Sequence, residues 1–172
     1  MPSHTIRILV LLYVVMGLMG SQVFASGEAA GDRDIREHIA VQTHQDERLE
    51  GTEVHIVVRS GHVVLSGTVY LYSQKMLYEH IAERTPGVRE NNNDIRVVPR
   101  LPVEDAEIAG HIRIMIKDHQ RFQNTEMTVE VTEGVVSLSG TFYNPGDILF
   151  LKHQVAEIEG VIRLEILARF VT

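Results

Sequence analysis

The side chains that could carry chemistry in this sequence are its nine histidines, because the chain has no cysteine. Without cysteine, a disulfide framework, a thiolate zinc site and a cysteine nucleophile are excluded. Two pairs of histidines occupy matching places, His38 with His111 and His80 with His153. No motif with the three or four ligands that a metal site requires stands around them. We therefore interpret these histidines as polar residues of amphipathic helices and predict no metal site.

Motifs of common catalytic sites are also missing from the sequence. It contains no nucleophile elbow, no phosphate-binding glycine loop and no metalloprotease helix. Ser66 and Ser139, each in a Leu-Ser-Gly triplet, fit the ends of strands or turns better than a catalytic role. We therefore predict no enzyme, no cofactor and no small-molecule substrate. The net charge of −7 also argues against nucleic-acid binding, which needs a basic surface.

The paired histidines belong to a longer internal repeat. The segment SGHVVLSGTVY at 60–70 matches EGVVSLSGTFY at 133–143, and the same spacing of 73 residues extends without a gap over 34–99. A fixed period of this size indicates one supersecondary unit used twice. The repeat also aligns glycines, to which we assign structural roles: Gly61, Gly67, Gly87, Gly134, Gly140 and Gly160.

Periodicity predicts the same elements in both repeats. In the first, a helix is expected from Asp34, followed by two alternating strands, a second helix and a third strand. Ser60-Gly61 predicts a two-residue hairpin turn that places Val58 opposite Val63, since glycine accepts the positive φ of such turns. Gly67 marks a bulge or a close backbone approach. The predicted fold class is α+β, with two tandem αββαβ units, each of two helices packed on a small mixed three-stranded sheet.

The first 25 residues have the features of a secretory signal peptide. Arg7 precedes an apolar run at 8–19, and Val23 and Ala25 supply small residues before a cut after Ala25. An uncleaved membrane anchor is the alternative. We expect a periplasmic protein with this order of segments: signal peptide 1–25, disordered linker 26–33, first unit 34–99, linker 100–103 and second unit 104–172.

The second repeat is unusually apolar where its second strand leads into its second helix. Four consecutive apolar residues at 148–151 cover more than one face of a helix. If Ile148 and Leu151 face inward, Leu149 and Phe150 face elsewhere. These side chains could contact the other repeat, a partner protein or a lipid interface. The candidate lipid- or partner-binding residues are Tyr143, Ile148, Leu149 and Phe150.

The repeated order of elements around Gly-Val-Val-x-Leu-Ser-Gly resembles the BON domain, named for bacterial OsmY and nodulation proteins. Two copies after a signal peptide are similar to the soluble periplasmic OsmY-like type. The turns depart from the family's usual Asn-Gly, with Ser60-Gly61 and Glu133-Gly134 instead. The resemblance implies phospholipid binding at membrane surfaces, in envelope maintenance or in osmotic or envelope stress. The alternative is a protein-binding module, either a holdase-like chaperone or an adaptor to an envelope assembly.

Overall fold

The structure is a computed structural model, and it describes residues 25–123 and 125–170. The predicted signal peptide lies outside these residues except for Ala25. The first unit contains α1 (Ala25–Gln45), β1 (Glu53–Arg59), β2 (His62–Val69), α2 (Tyr72–Arg84) and β3 (Glu90–Val97). The second contains α3 (Asp105–Asp118), β4 (Met127–Thr132), β5 (Val135–Phe142), α4 (Pro145–Ala156) and β6 (Arg163–Phe170). The order αββαβ is therefore confirmed in both units.

Each unit has one mixed three-stranded sheet. The first strand pairs antiparallel with the second, and the third pairs parallel with the second, so the second strand is central. Val58 lies opposite Val63, as the hairpin pattern predicts. The parallel pairing requires a crossover, which the second helix of each unit supplies. The predicted fold class is confirmed.

A hydrophobic core forms in each unit between its helices and one face of its sheet, because alternate strand residues and one helical face point inward. In the first unit, Ile39 and Leu65 are fully buried, and Ile95 from the third strand is almost completely buried. In the second unit, Ile112 and Leu151 are fully buried. The opposite face of each sheet carries residues that are exposed or half-buried.

The hairpin turns explain the repeated glycines. Ser60 and Gly61 have φ values of 52° and 79°, and Glu133 and Gly134 have 51° and 74°. Positive φ at both central residues gives the tight turn that suits the twist of the flanking strands. At Gly67, a Cβ atom would lie 2.0 Å from the Glu53 carbonyl oxygen, so this glycine serves a close backbone approach.

The N-terminal boundary differs from the sequence-based expectation. Helix α1 begins at Ala25 rather than at Asp34, so the segment 26–33, for which the sequence predicts disorder, is helical. Asp32, two residues before the predicted start, contacts the turn between β1 and β2. Its carboxylate accepts hydrogen bonds from the N–H groups of Ser60 and Gly61, at 2.7 and 2.9 Å. This tertiary contact favours a helix that continues past Asp34 towards the N-terminus. None of the helices at 25–123 and 125–170 combines the length and the hydropathy of a membrane-spanning segment.

The two units contact each other, as expected for units too small to bury a large core alone. Tyr72, the first residue of α2, packs against the hydrophobic core of the second unit. Burial raises the pKa of the Tyr72 hydroxyl, assisted by the charge of Glu79. In the linker, the N–H of Arg100 donates to the Glu159 carboxylate at 2.7 Å.

Candidate binding surface

The exposed apolar residues at the start of α4 form the candidate surface. Tyr143 directly follows β5 and is 65% exposed, while Leu149 lies in the second turn of α4 and is 58% exposed. The local sequence fixes their positions. Asn144 accepts a hydrogen bond from the Gly146 N–H at 2.8 Å, and Pro145 occupies the first turn, where a missing N–H does no harm. Both side chains are therefore presented by an ordered helix start.

The other two candidate residues are placed differently. Ile148 and Phe150 are half-buried and pack against the core of the second unit. The Phe150 ring centroid lies 4.5 Å from that of His119 and 6.1 Å from that of Phe122. The guanidinium of Arg121 lies 5.1 Å from the same ring centroid. The expectation that Phe150 faces away from its own core is wrong, because the short 3₁₀ turn after α3 closes over it.

The first unit has a matched position that is covered. Tyr70 corresponds to Tyr143, but it is half-buried, and the guanidinium of Arg100 lies 4.2 Å from its ring centroid. Arg100 belongs to the linker, and the chain reaches it directly from β3. Met76 corresponds to Leu149 and is half-buried. The second unit therefore exposes an apolar side chain at both positions, and the first unit has half-buried residues at the corresponding ones.

The repeated histidines do not converge on a site. His38, His111, His80 and His153 are all exposed on helices. Among residues 25–123 and 125–170, no group of three histidine, aspartate or glutamate side chains could hold a metal ion. His62 pairs with Glu90 at 2.8 Å on the open face of the first sheet, as neighbours across two strands. These histidines are consistent with polar positions on helix and sheet surfaces.

Two aspartates that sequence patterns did not single out organise the hairpins. The Asp105 carboxylate accepts hydrogen bonds from the N–H groups of Glu133 and Gly134, at 2.8 and 2.9 Å. Asp32 makes the same contacts in the first unit. The two aspartates obey the spacing of the repeat, but they stand two residues before the aligned range 34–99. Extending the comparison by two positions would have found them.

Comparison with known proteins identifies the family. The family model described as "BON domain" matches residues 31–99 and 104–165. The chain belongs to the BON domain family. BON domains are a non-catalytic family of phospholipid- and protein-binding modules. The two matches agree with the repeat and with the two αββαβ units.

Other comparisons give more distant likenesses. No curated protein matches the chain. Among solved structures, it is similar to the C-terminal domain of CdsD, a structural protein of the type III secretion system of Chlamydia trachomatis. That match has 15% identity and a TM-score of 0.35, and it covers 98% of this chain and 80% of the other. A second CdsD structure matches with 11% identity and a TM-score of 0.30, covering 80% of this chain and 92% of the other.

Proposed function

We propose that this chain is a non-enzymatic periplasmic protein that binds phospholipid membrane surfaces through Tyr143 and Leu149, in envelope maintenance or envelope stress. The observation that carries the proposal is the exposed apolar pair on an ordered helix start, in a family that binds phospholipid. Large exposed apolar side chains on neighbouring segments of the chain support a surface for lipid or protein. The signal-peptide pattern at 1–25 supports export. Mass spectrometry of the exported protein should find Ser26 as its first residue.

The energetics favour weak and reversible membrane binding. A large apolar side chain gains about 1.5–3 kcal/mol when it is fully moved out of water. Tyr143 and Leu149 are each more than half exposed, so together they can contribute roughly 2–4 kcal/mol. The net charge of −7 provides no general attraction to anionic headgroups. Binding should therefore depend little on salt, because there is little attraction to screen.

Liposome co-sedimentation of residues 26–172 tests the proposal. We expect the double variant Tyr143→Ser with Leu149→Ser to lose sedimentation with vesicles while keeping the wild-type melting temperature. The matched control is Ile114→Ser with Leu167→Ser, because these residues are 60% and 71% exposed and lie elsewhere on the second unit. The control should sediment like the wild type.

The same assay distinguishes membrane binding from the protein-binding alternative. A wild-type protein that does not sediment with either neutral or anionic vesicles would refute membrane binding. Equal losses in both double variants would show that general hydrophobicity, rather than this surface, controls sedimentation. A melting temperature that falls only in the Tyr143 and Leu149 variant would show that these residues stabilise the fold, and it would contradict their role as a binding surface.

A further inference from the structure

Strand β6 alternates charged and apolar residues along the open face of the second sheet. Arg163, Glu165, Leu167 and Arg169 are exposed there, and the first two form an ion pair along the strand. Leu167 is 71% exposed, the largest value for a bulky apolar side chain in the part of the chain that the structure describes. Its neighbour across the sheet, Ser139, is too small to cover it. The strand therefore presents an apolar residue between a negative and a positive charge.

The outer edge of β6 offers backbone groups to a further strand. Within the described chain, β6 pairs only with β5. Successive residues of a paired strand direct their N–H and C=O groups to opposite sides. The two-residue turn joins the odd-numbered residues of β5 to β4, so β6 is bonded through its own odd-numbered residues and the groups of Ile166 and Ala168 point outward. Tyr72 hydrogen-bonds to the backbone of Leu164 at the start of the strand, which leaves 165–169 as the free edge.

In the first unit, side chains close the same edge. Ile95 of β3 corresponds to Ala168. Its carbonyl accepts a hydrogen bond from the Lys75 ammonium group at 2.7 Å, and its N–H donates to the side-chain oxygen of Asn93 at 3.2 Å. Isoleucine occupies both equivalent positions in the second unit and can make neither bond. The edge is therefore blocked in β3 and open in β6.

A second copy of β6 fits this edge in an antiparallel arrangement with a twofold axis at Leu167. Glu165 of each copy then lies opposite Arg169 of the other, and the two Leu167 side chains lie opposite each other. Directly opposed residues of opposite charge, and opposed apolar residues, stabilise antiparallel strands. The same register makes Ile166 and Ala168 the hydrogen-bonded pair, so it uses the groups that point outward. Charge, burial and backbone geometry therefore select the same pairing.

A shifted register and the first unit both place like charges together. An axis at Ile166 would bring Arg163 opposite Arg169 of the second copy. In the first unit, Asp94 occupies the position of Leu167, so the equivalent pairing of β3 would bring two aspartates together. Like charges directly opposite each other destabilise paired strands. The favourable pairs are therefore specific to β6 with the axis at Leu167.

We propose that β6 is the interface of a homodimer, in which residues 165–169 pair with the same residues of a second copy. The pairing joins two three-stranded sheets into one sheet of six strands. It buries both Leu167 side chains and places a Glu165–Arg169 ion pair on each side of the axis. One short strand from each copy is a small interface, so we expect a weak dimer with a dissociation constant of about 100 µM. The interface shares no residue with the proposed membrane surface.

Sedimentation velocity of residues 26–172 at about 5 to 500 µM, a range that spans the expected constant, tests dimer formation. We expect the wild type to shift from monomer towards dimer over this range. Leu167→Asp introduces the residue type that the first unit has at Asp94, and it should stay monomeric. The matched control is Val57→Asp, because Val57 is an exposed apolar residue on the open face of the first sheet. The control should dimerise like the wild type.

Two charge variants test the register. Glu165→Arg places like charges opposite each other in its own dimer, and so does Arg169→Glu, so each variant alone should dimerise about tenfold more weakly than the wild type. A mixture of the two variants restores opposite charges at both contacts. The mixture should therefore form a heterodimer about as tight as the wild-type dimer, which a general loss of folding would not allow.

Disulfide cross-linking locates the axis, because the chain has no cysteine of its own. Opposed residues of a non-hydrogen-bonded pair have Cα atoms about 4.5 Å apart, which is within the range that a disulfide spans. Leu167→Cys should therefore cross-link rapidly under mild oxidation. The control is Glu165→Cys on the same face of the strand. Its two copies would lie about 13 Å apart in this register and should cross-link about tenfold more slowly.

Three results would overturn the proposal. They are a wild type that stays monomeric at about 500 µM, a mixture of charge variants that associates as weakly as either variant alone, and equal cross-linking rates for the two cysteine variants. Liposome co-sedimentation at about 1 µM protein lies well below the dissociation constant, so the variants compared in that assay are monomeric. Tyr143→Ser with Leu149→Ser should dimerise like the wild type, so failure of the membrane proposal would leave this one standing.

Discussion

The aspartate that holds each hairpin turn to the helix before it gives the sharpest test of the fold. In the second unit, Asp105 is the first residue of α3 and accepts two backbone hydrogen bonds from the turn between β4 and β5. Asp105→Ala removes both bonds at once. The change leaves the side chains of the hydrophobic core untouched, so its effect reports on the turn contact and on the charge at the start of α3.

The expected loss depends on the number and environment of the two bonds. A hydrogen bond to a charged group contributes about 1.5–3 kcal/mol when it is shielded from water, and about 0.5 kcal/mol where water can replace the acceptor. The Glu133 N–H is exposed, whereas the Gly134 N–H is partly buried. We therefore expect Asp105→Ala to reduce the free energy of unfolding by about 2 kcal/mol. Asp105→Asn keeps one acceptor oxygen and should lose about half as much.

Thermal unfolding measured by circular dichroism detects this effect. For a chain of this length that unfolds as one unit, 2 kcal/mol corresponds to a decrease of roughly 4–8 °C in melting temperature. The matched control is Glu107→Ala, because Glu107 is an exposed acidic residue in the same helical turn and makes the same favourable interaction with the helix dipole. If Asp105→Ala and Glu107→Ala melt at the same temperature, the turn contact does not contribute to stability.

Two further changes separate structural positions from neutral ones in the second unit. Gly134→Val should lower the free energy of unfolding by about 3 kcal/mol, because φ is 74° and the new Cβ would lie 2.6 Å from the Gly160 carbonyl oxygen. The control is Gly110→Ala on α3, which should not lower stability because no atom lies within 4 Å of the new Cβ. Equal melting temperatures for the two variants would contradict the assigned turn. Phe150→Ala should lower the free energy of unfolding, measured with denaturant, by about 2 kcal/mol, because the ring packs on the core. Leu149→Ala should stay within roughly 0.5 kcal/mol, and equal midpoints for these neighbouring residues would place Phe150 outside the core.

Much of the fold could be predicted because its strongest signals are local and occur twice. Two-residue alternation determines the register of the first hairpin once Ser60-Gly61 is recognised as its turn, since one register alone places all inward side chains on the core. The glycine at the close approach, Gly67, is also identifiable, although pattern alone cannot distinguish a bulge from backbone contact. The carbonyl of Glu53, which decides between them, comes from the neighbouring strand.

The start of α1 could not be predicted from local signals. Asp34 has the residue type of an N-cap, and two glycines, Gly27 and Gly31, stand in the segment before it, where glycine has low helix propensity. In the structure, Asp32 is instead engaged by the hairpin turn of the same unit, a contact 28 residues away in sequence. Tertiary contacts of this kind override propensity.

The prediction that Phe150 faces away from its own core was wrong for a related reason. Helical periodicity correctly assigns Leu151 to the core, and it leaves Leu149 and Phe150 as surplus apolar residues. The periodicity describes only the faces of α4 and contains no information on the segment after α3. The 3₁₀ turn at Gln120–Phe122 brings aromatic rings beside α4 and provides a second place for an apolar side chain. Of the surplus pair, only Leu149 therefore remains exposed.

The two units share the residues that their fold requires and differ at exposed positions. Both units need the same turn glycine and the same turn-binding aspartate, because these positions satisfy backbone geometry that any copy must have. Exposed positions carry no such requirement, and there the units diverge. Tyr70 is half-buried beneath the guanidinium of Arg100, whereas Tyr143 is exposed. A first unit that serves as support and a second that serves as the binding unit would produce this asymmetry. Exchanging the exposed residues between equivalent positions should then transfer binding without changing the core.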